Sequence, residues 1–272
     1  MPFTINVDPV IASFGGLALR WYSLTLLAAV AIAILVFSHE ARRKQLDQRA
    51  TLDGIWWVAI AALVGGRILY ELQNDLPMLG ADPLHLFMVW QGGLSFYGGL
   101  IAAIVTIVVF AWRRGVPLWP VLDAAAPAAA IGQAIGHIGC LITGDSYGLP
   151  TTLPWAVIYR NQAAMAPQGI PLHPTQAYEA IALGLLFASL WLGRERLGRL
   201  GAGAVAGSYL VGVAAIRFVL FFLRDEQAVF FGLKTAQLIG LGLAIGGAAI
   251  LANLIRRRLA EPAFTTKEMA LP

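Results

Sequence analysis

Seven long apolar stretches, each able to bridge a bilayer, take up most of this 272-residue chain and constrain everything else it can do. Crossing ~30 Å of hydrocarbon takes about 20 apolar residues at 1.5 Å each. The stretches at about 18–38, 54–72, 94–112, 121–142, 176–193, 203–223 and 235–255 meet that length. Charged residues are 12% of the chain and apolar residues 58%, with 29 glycines besides. Soluble domains carry about 25% charge, so a soluble enzyme, a disordered chain and a disulfide scaffold are excluded. The lone Cys140 cannot form an internal disulfide. The expected architecture is an all-α integral membrane protein, one seven-span domain over residues 1–272, with a small extracytoplasmic cap at 143–175. Pro and Gly punctuate that cap, and Trp155–Tyr159 reads as a short strand within it. The opening MPFTINVDPV has no basic residue before the first apolar run, so no cleavable signal peptide is expected and the first span is retained. The connection around 73–93, with Pro77, Pro83 and Trp90, is expected to lie along the interface.

Lys and Arg set the orientation. Arg42, Arg43, Lys44, Arg49, Arg113, Arg114, Arg194, Arg196, Arg199, Arg256, Arg257, Arg258 and Lys267 share one side; Arg160, Arg224 and Lys234 are on the other. The bias puts the N-terminus outside and the C-terminus in the cytoplasm. The net charge of +4 is then a topology signal, and no nucleic-acid partner is expected.

Three arginines remain within or at the edge of spans: Arg20, Arg67 and Arg217. A charge in a span is expensive and marks a site or a buried pair. Arg20 reads first as a side chain snorkelling to the headgroups. Arg67 either pairs with Glu71, one turn away, or serves a site. Arg217 has no acidic residue at i±3 or i±4, which favours function. With the orientation above, Arg67, Arg217, His137, Cys140, Tyr22, Tyr97, His173, Gln176, Tyr178 and Glu179 all fall toward the outer ends of their spans. Gln133, His137, Cys140 and Gly144 form one stripe on span 4. Ala128, Gly132 and Gly136 repeat every four residues and permit close helix approach. The bundle should hold a polar, cationic cavity open to the outer leaflet, where planar guanidiniums suit a phosphate. Cys140 by itself reads as a small buried packer. The four histidines lack ligand spacing, so no metal or other cofactor is expected.

These residues lie in the strings DPVI…LRWYSL (8–24), GGRILY (65–70), GGLSFYGGLIAA (92–103), GHIGCLITGDSYGLPTTLPWAV (136–157), HPTQAYE (173–179) and IRFVLFFLR (216–224). In that order and spacing the chain resembles the prolipoprotein diacylglyceryl transferases over nearly its whole length. The resemblance implies a seven-span enzyme of the bacterial cytoplasmic membrane. It would move the diacylglyceryl group of phosphatidylglycerol to the lipobox cysteine of a preprolipoprotein signal peptide, releasing glycerol-1-phosphate. It also implies that Arg217 matches the family's essential arginine, and that Tyr22, Arg67, Gly98, Gly99, Gly144, Asp145 and Gly148 match motif positions. Tyr22 would orient the head group, and the glycines would allow close backbone approach. Cys140, His173, Gln176, Tyr178 and Glu179 are placed with the substrate-binding residues.

The chain departs from the family pattern at four places. Tyr97 stands where many members have a histidine proposed as the thiol base, and His137 where they usually have arginine. Cys140 replaces an asparagine, and Phe221 a glutamate. Asp145 keeps a carboxylate where many have glutamate. A tyrosine of ordinary pKa about 10 is a poor base at neutral pH, so His137 or Asp145 is expected to activate the thiol while Arg67 and Arg217 hold the phosphate. Two other readings stand beside this one: a degenerate relative that binds phospholipid or precursor without turnover, and an anion or lipid transporter. The transporter would need a polar face in the inner half-spans, which are expected to be free of charge.

Overall fold

A computed structural model describes residues 2–15, 17–74 and 93–260. The described residues form seven helices: α1 (Trp21–Arg43), α2 (Gln48–Asn74), α3 (Phe96–Arg114), α4 (Leu118–Thr143), α5 (Thr175–Gly198), α6 (Ala204–Leu220) and α7 (Thr235–Ala260). Six are long and apolar enough to cross a membrane; α6, at 17 residues, is shorter. The expected interfacial connection at 73–93 falls almost wholly outside the described residues.

Small side chains place α4 at the centre. Ala124, Ala126, Ala128, Ala130 and Ala134 are buried on it, and it packs against α1, α5 and α6. Alanine lets helix backbones approach where side-chain bulk would hold them apart. Gly132 meets α1, since a Cβ there would lie 3.3 Å from the Ala33 Cβ, but Gly136 has nothing within 4 Å. The tightest approach on this helix is at Gly139, where a Cβ would meet the Thr25 Oγ1 at 2.0 Å. The outer faces are apolar and exposed, as at Leu35, Trp112, Leu192 and Ile245. Such faces suit a hydrocarbon solvent. Helices α2 and α3 pack chiefly on each other. An apolar cavity of about 550 Å³ lies between that pair and α1–α4, lined by Ile34, Phe37, Ile55, Val58, Phe110 and Val121 among others.

At the α4 start, Asp123 is 1% exposed, so the expectation that this half of the span is free of charge is corrected. Its carboxylate accepts from Gly203 N and Ala206 N, both at 2.9 Å, and so caps the start of α6. Capping satisfies otherwise orphaned amide donors. Its charge serves the helix cap. Lys44 lies 3.4 Å from Asp123, and Arg43 and Arg194 both reach Glu40.

At the other end, short strands cover α4. β1 (Phe3–Ile5) pairs parallel with β4 (Val157–Tyr159), which pairs antiparallel with β5 (Pro171–Leu172); β2 (Val10–Phe14) and β3 (Leu17–Arg20) form a hairpin leading into α1. The strand expected within 155–159 is β4, two residues shorter at its start. Strand β1 was not legible from the sequence, because its partner β4 is about 150 residues away; the β2–β3 hairpin is local but was not expected either. They also move the first helix start from 18 to Trp21. Tyr159, 1% exposed, donates its hydroxyl to Leu141 O at 2.8 Å, and Met165 N donates to Thr143 O at 3.0 Å. The cap thus satisfies terminal carbonyls of α4. Burial pushes the Tyr159 phenol above its ordinary range.

Candidate active site

Below the cap, the stripe on α4 organises the polar groups, each of its three helical members reaching a different element. Gln133 accepts from Arg217 Nη2 on α6 at 3.5 Å and donates to the Tyr209 hydroxyl. His137 Nε2 lies 2.7 Å from Glu179 Oε2 on α5. The Cys140 thiol faces Asp145 Oδ2 at 3.9 Å. Spacings of four and three residues put all three on one helix face. Gly144, the fourth expected member, lies beyond the helix as its left-handed C-cap, with φ of 76°. That conformation is why glycine serves there.

Glu179 is 2% exposed and shared. Its second oxygen accepts from Arg224 Nη1 at 3.0 Å, and Arg224 Nε meets Glu226 at 2.8 Å. The Arg224 guanidinium lies 4.7 Å from the Phe221 ring centroid. Lys234 donates to the carbonyls of Phe221 and Arg224, which pins the turn after α6. Phe221 itself is buried. Arg224, Lys234 and Tyr209 were not among the expected site residues. Arg224 had a sequence signal, since it falls seven residues after Arg217 on the same helical face. Its place after the sixth span reads instead as an outer charge.

Backbone clamps hold the segment after α4. Gln176 Nε2 donates to Asp145 O at 2.7 Å and Thr175 Oγ1 to Ser146 O at 2.8 Å. Gly148 N donates to His173 O at 3.1 Å, and Leu149 N to Leu223 O at 2.8 Å. A Cβ on Gly148 would stand 2.6 Å from His173 Cβ and 2.8 Å from Leu223 O. Only glycine lets these strands of backbone meet. Gln176 therefore acts on backbone, while His173 and Tyr178 join Trp155, whose indole donates to the Tyr178 hydroxyl at 2.7 Å.

Arg67 belongs to the α2–α3 pair. Its Nη2 is 2.6 Å from Glu71 and its Nη1 donates to Gly93 O at 3.1 Å, with both charged side chains buried. Tyr97 is half-buried at the start of α3. Gly98 presses on α2, since its Cβ would lie 2.3 Å from Gly65 O, and Gly99 faces Ala62 O at 3.0 Å. The close approach expected of these glycines is therefore helix against helix. Tyr22 is partly exposed and its ring lies over Gly139, beside Cys140.

The α4 constellation combines cations at Arg217 and Arg224 with an imidazole and two carboxylates. Fixed cations stabilise charge that develops on an oxygen, and an imidazole can take a proton near neutral pH. Among the described residues no group of three His, Cys, Asp or Glu is arranged to hold a metal ion.

The family model described as prolipoprotein diacylglyceryl transferase matches residues 9–253. A phosphatidylglycerol–prolipoprotein diacylglyceryl transferase of Solidesulfovibrio magneticus is 36% identical over 259 residues, covering 90% of this chain and 94% of the relative. Its namesake in Azotobacter vinelandii is 34% identical, covering 93% and 96%. That of Pseudoalteromonas atlantica is 33% identical, covering 94% and 92%.

Proposed function

The chain belongs to the prolipoprotein diacylglyceryl transferase family, and we propose from that membership how its residues divide the work. The protein is a transferase that moves the diacylglyceryl group of phosphatidylglycerol to the lipobox cysteine thiol of a preprolipoprotein. The thiol loses its proton, its sulfur forms a C–S bond to the terminal glycerol carbon, and the C–O bond to phosphate breaks. The electron pair leaves with glycerol-1-phosphate.

A single observation supports placing this chemistry at the α4 stripe: three consecutive face positions of one helix reach Arg217, Glu179 and Asp145. Arg217 stabilises the departing phosphate, and Arg67 orients the head group from the α2–α3 side. Tyr22 and Tyr97 contribute hydrogen bonds to that head group. The seven helices form one multi-pass domain in the bacterial inner membrane, N-terminus outside. The 144–174 segment caps the site on the extracytoplasmic side, so that the outer leaflet supplies the lipid.

The test is a transfer assay in nanodiscs with phosphatidylglycerol and a lipobox peptide, reading the thioether by mass spectrometry and glycerol-1-phosphate separately. Product from wild type and loss on the order of 10²-fold or more in Arg217→Ala is expected, the scale of losing one charge-stabilising donor. Lipid that copurifies without any product, while an active relative turns over, would instead identify a binding protein.

A further inference from the structure

We propose that Glu179 is the positioning residue of a carboxylate–imidazole pair in which His137 Nδ1 is the atom that takes the acceptor thiol's proton. The inference rests on the transferase reading above and deepens it. A carboxylate oxygen can only accept, so the 2.7 Å contact to Nε2 requires a hydrogen on Nε2. In the neutral ring the lone pair then sits on Nδ1. That nitrogen is buried and has no hydrogen-bond partner among the described residues. A buried polar atom without a partner is rare in native structures and calls for an explanation.

The carboxylate is itself fixed. Arg224 holds its other oxygen at 3.0 Å, so Glu179 cannot swing away from the imidazole. Among the described residues His137 is the one titratable side chain lining a cavity of about 430 Å³ between α4 and α5, whose other walls include Ile135, Ile138, Leu141, Ala177 and Ile181. An apolar peptide segment carrying a cysteine suits such walls. The titratable and charged groups around the pair are Gln133's partner Arg217 on α6, Arg224 after α6, Cys140 on α4, Asp145 after α4 and Tyr22 on α1. Cys140 and Asp145 face each other, which leaves His137 as the base directed elsewhere.

The step balances without any further reactant. The thiol proton goes to Nδ1, the sulfur pair forms the C–S bond, and the C–O pair leaves on the phosphate. The imidazolium then returns its proton to that phosphate.

The alternative is that His137 only supplies a cation to Glu179. His137→Arg separates the two, because arginine keeps the positive charge but has no lone pair to offer at neutral pH. The transfer assay, run from pH 5.5 to 9 with wild type active as the control, should show His137→Arg reduced on the order of 10²-fold near pH 6.5. The deficit should shrink toward pH 8.5, where a free thiol ionises unaided. Glu179→Gln should lower the rate and displace the acid limb of the profile. Added imidazole should restore part of the activity of His137→Ala. Should the variants fail to fold, ¹⁵N NMR of the wild-type imidazole decides, with Nε2 protonated and Nδ1 bare expected at pH 8. Wild-type rates and profile in His137→Arg, or the opposite tautomer, would overturn the proposal. An inactive wild type beside an active relative would instead overturn the transferase reading.

Discussion

Arg67 and Glu71 are 2% and 0% exposed and meet at 2.6 Å across one turn of α2. Of the two readings the sequence allowed for Arg67, this contact realises the pair. Removing one member of a buried pair leaves an uncompensated charge and costs about 3–5 kcal/mol. Glu71→Ala is therefore expected to lower the unfolding midpoint in detergent sharply. Glu71→Ala combined with Arg67→Met should recover much of the loss, because both charges are then gone. If the double variant stays as unstable as the single one, the pair is not what holds α2 and α3. Tyr97 shows the limit at this scale: its replacement of an expected histidine was visible in the sequence, whereas the imidazole at His137 and its carboxylate partner are 42 residues apart and met only on folding.

Among the elements, the cap is held to α4 by Tyr159, which pairs by hydroxyl with Leu141 O and packs with Val157, Ala166 and Leu172. Burial raises its phenol above the ordinary value near 10. The sign follows from linkage: above about pH 10 the unfolded chain loses this proton while the folded protein keeps it, so stability falls as pH rises. Thermal unfolding between pH 8.5 and 11 should show that fall. Tyr159→Phe should be about 1 kcal/mol less stable at pH 8.5, having lost one hydrogen bond, with a shallower decline above pH 10. An equally steep decline in the variant would assign the effect to other groups. The helices themselves were legible from apolar length, although α2 begins six residues earlier and α6 ends three residues earlier than expected. The α6 end is decided by Leu149 N meeting Leu223 O and by Lys234 gripping Phe221 O and Arg224 O, all contacts from outside that helix.

For the whole molecule, the uneven distribution of Lys and Arg argues for opposite locations of the two termini, which requires α6 to cross despite its 17 residues. Fusions at the C-terminus provide the check: a phosphatase active only outside the cytoplasm should stay silent and a cytoplasmic fluorescent protein should light. Both termini on one side would mean six crossings. Arg67 is built into the α2–α3 pair and Arg217 into the α4–α5–α6 core, and the apolar cavity of about 550 Å³ lies between the opposite halves of the two units, lined by Ile34, Ile55, Phe110 and Val121. Arg224 joins Arg217 on the core side through Glu179.

Length, charge depletion and apolar runs by themselves determined that this chain makes a bundle of membrane-length helices, because hydrocarbon leaves the backbone no other way to satisfy its amides. The short motifs likewise carried the family and most of the chemistry-bearing residues. Tertiary structure alone decided which of those residues touch. Gly139 rather than Gly136 takes the close helix contact, Asp123 caps a helix 80 residues away, and β1 reaches across the chain to β4. Ion pairing depends on distances of a few ångströms in a low-dielectric interior, and those distances arise from packing that no local stretch of sequence encodes. The 2.7 Å between His137 and Glu179 is one of them.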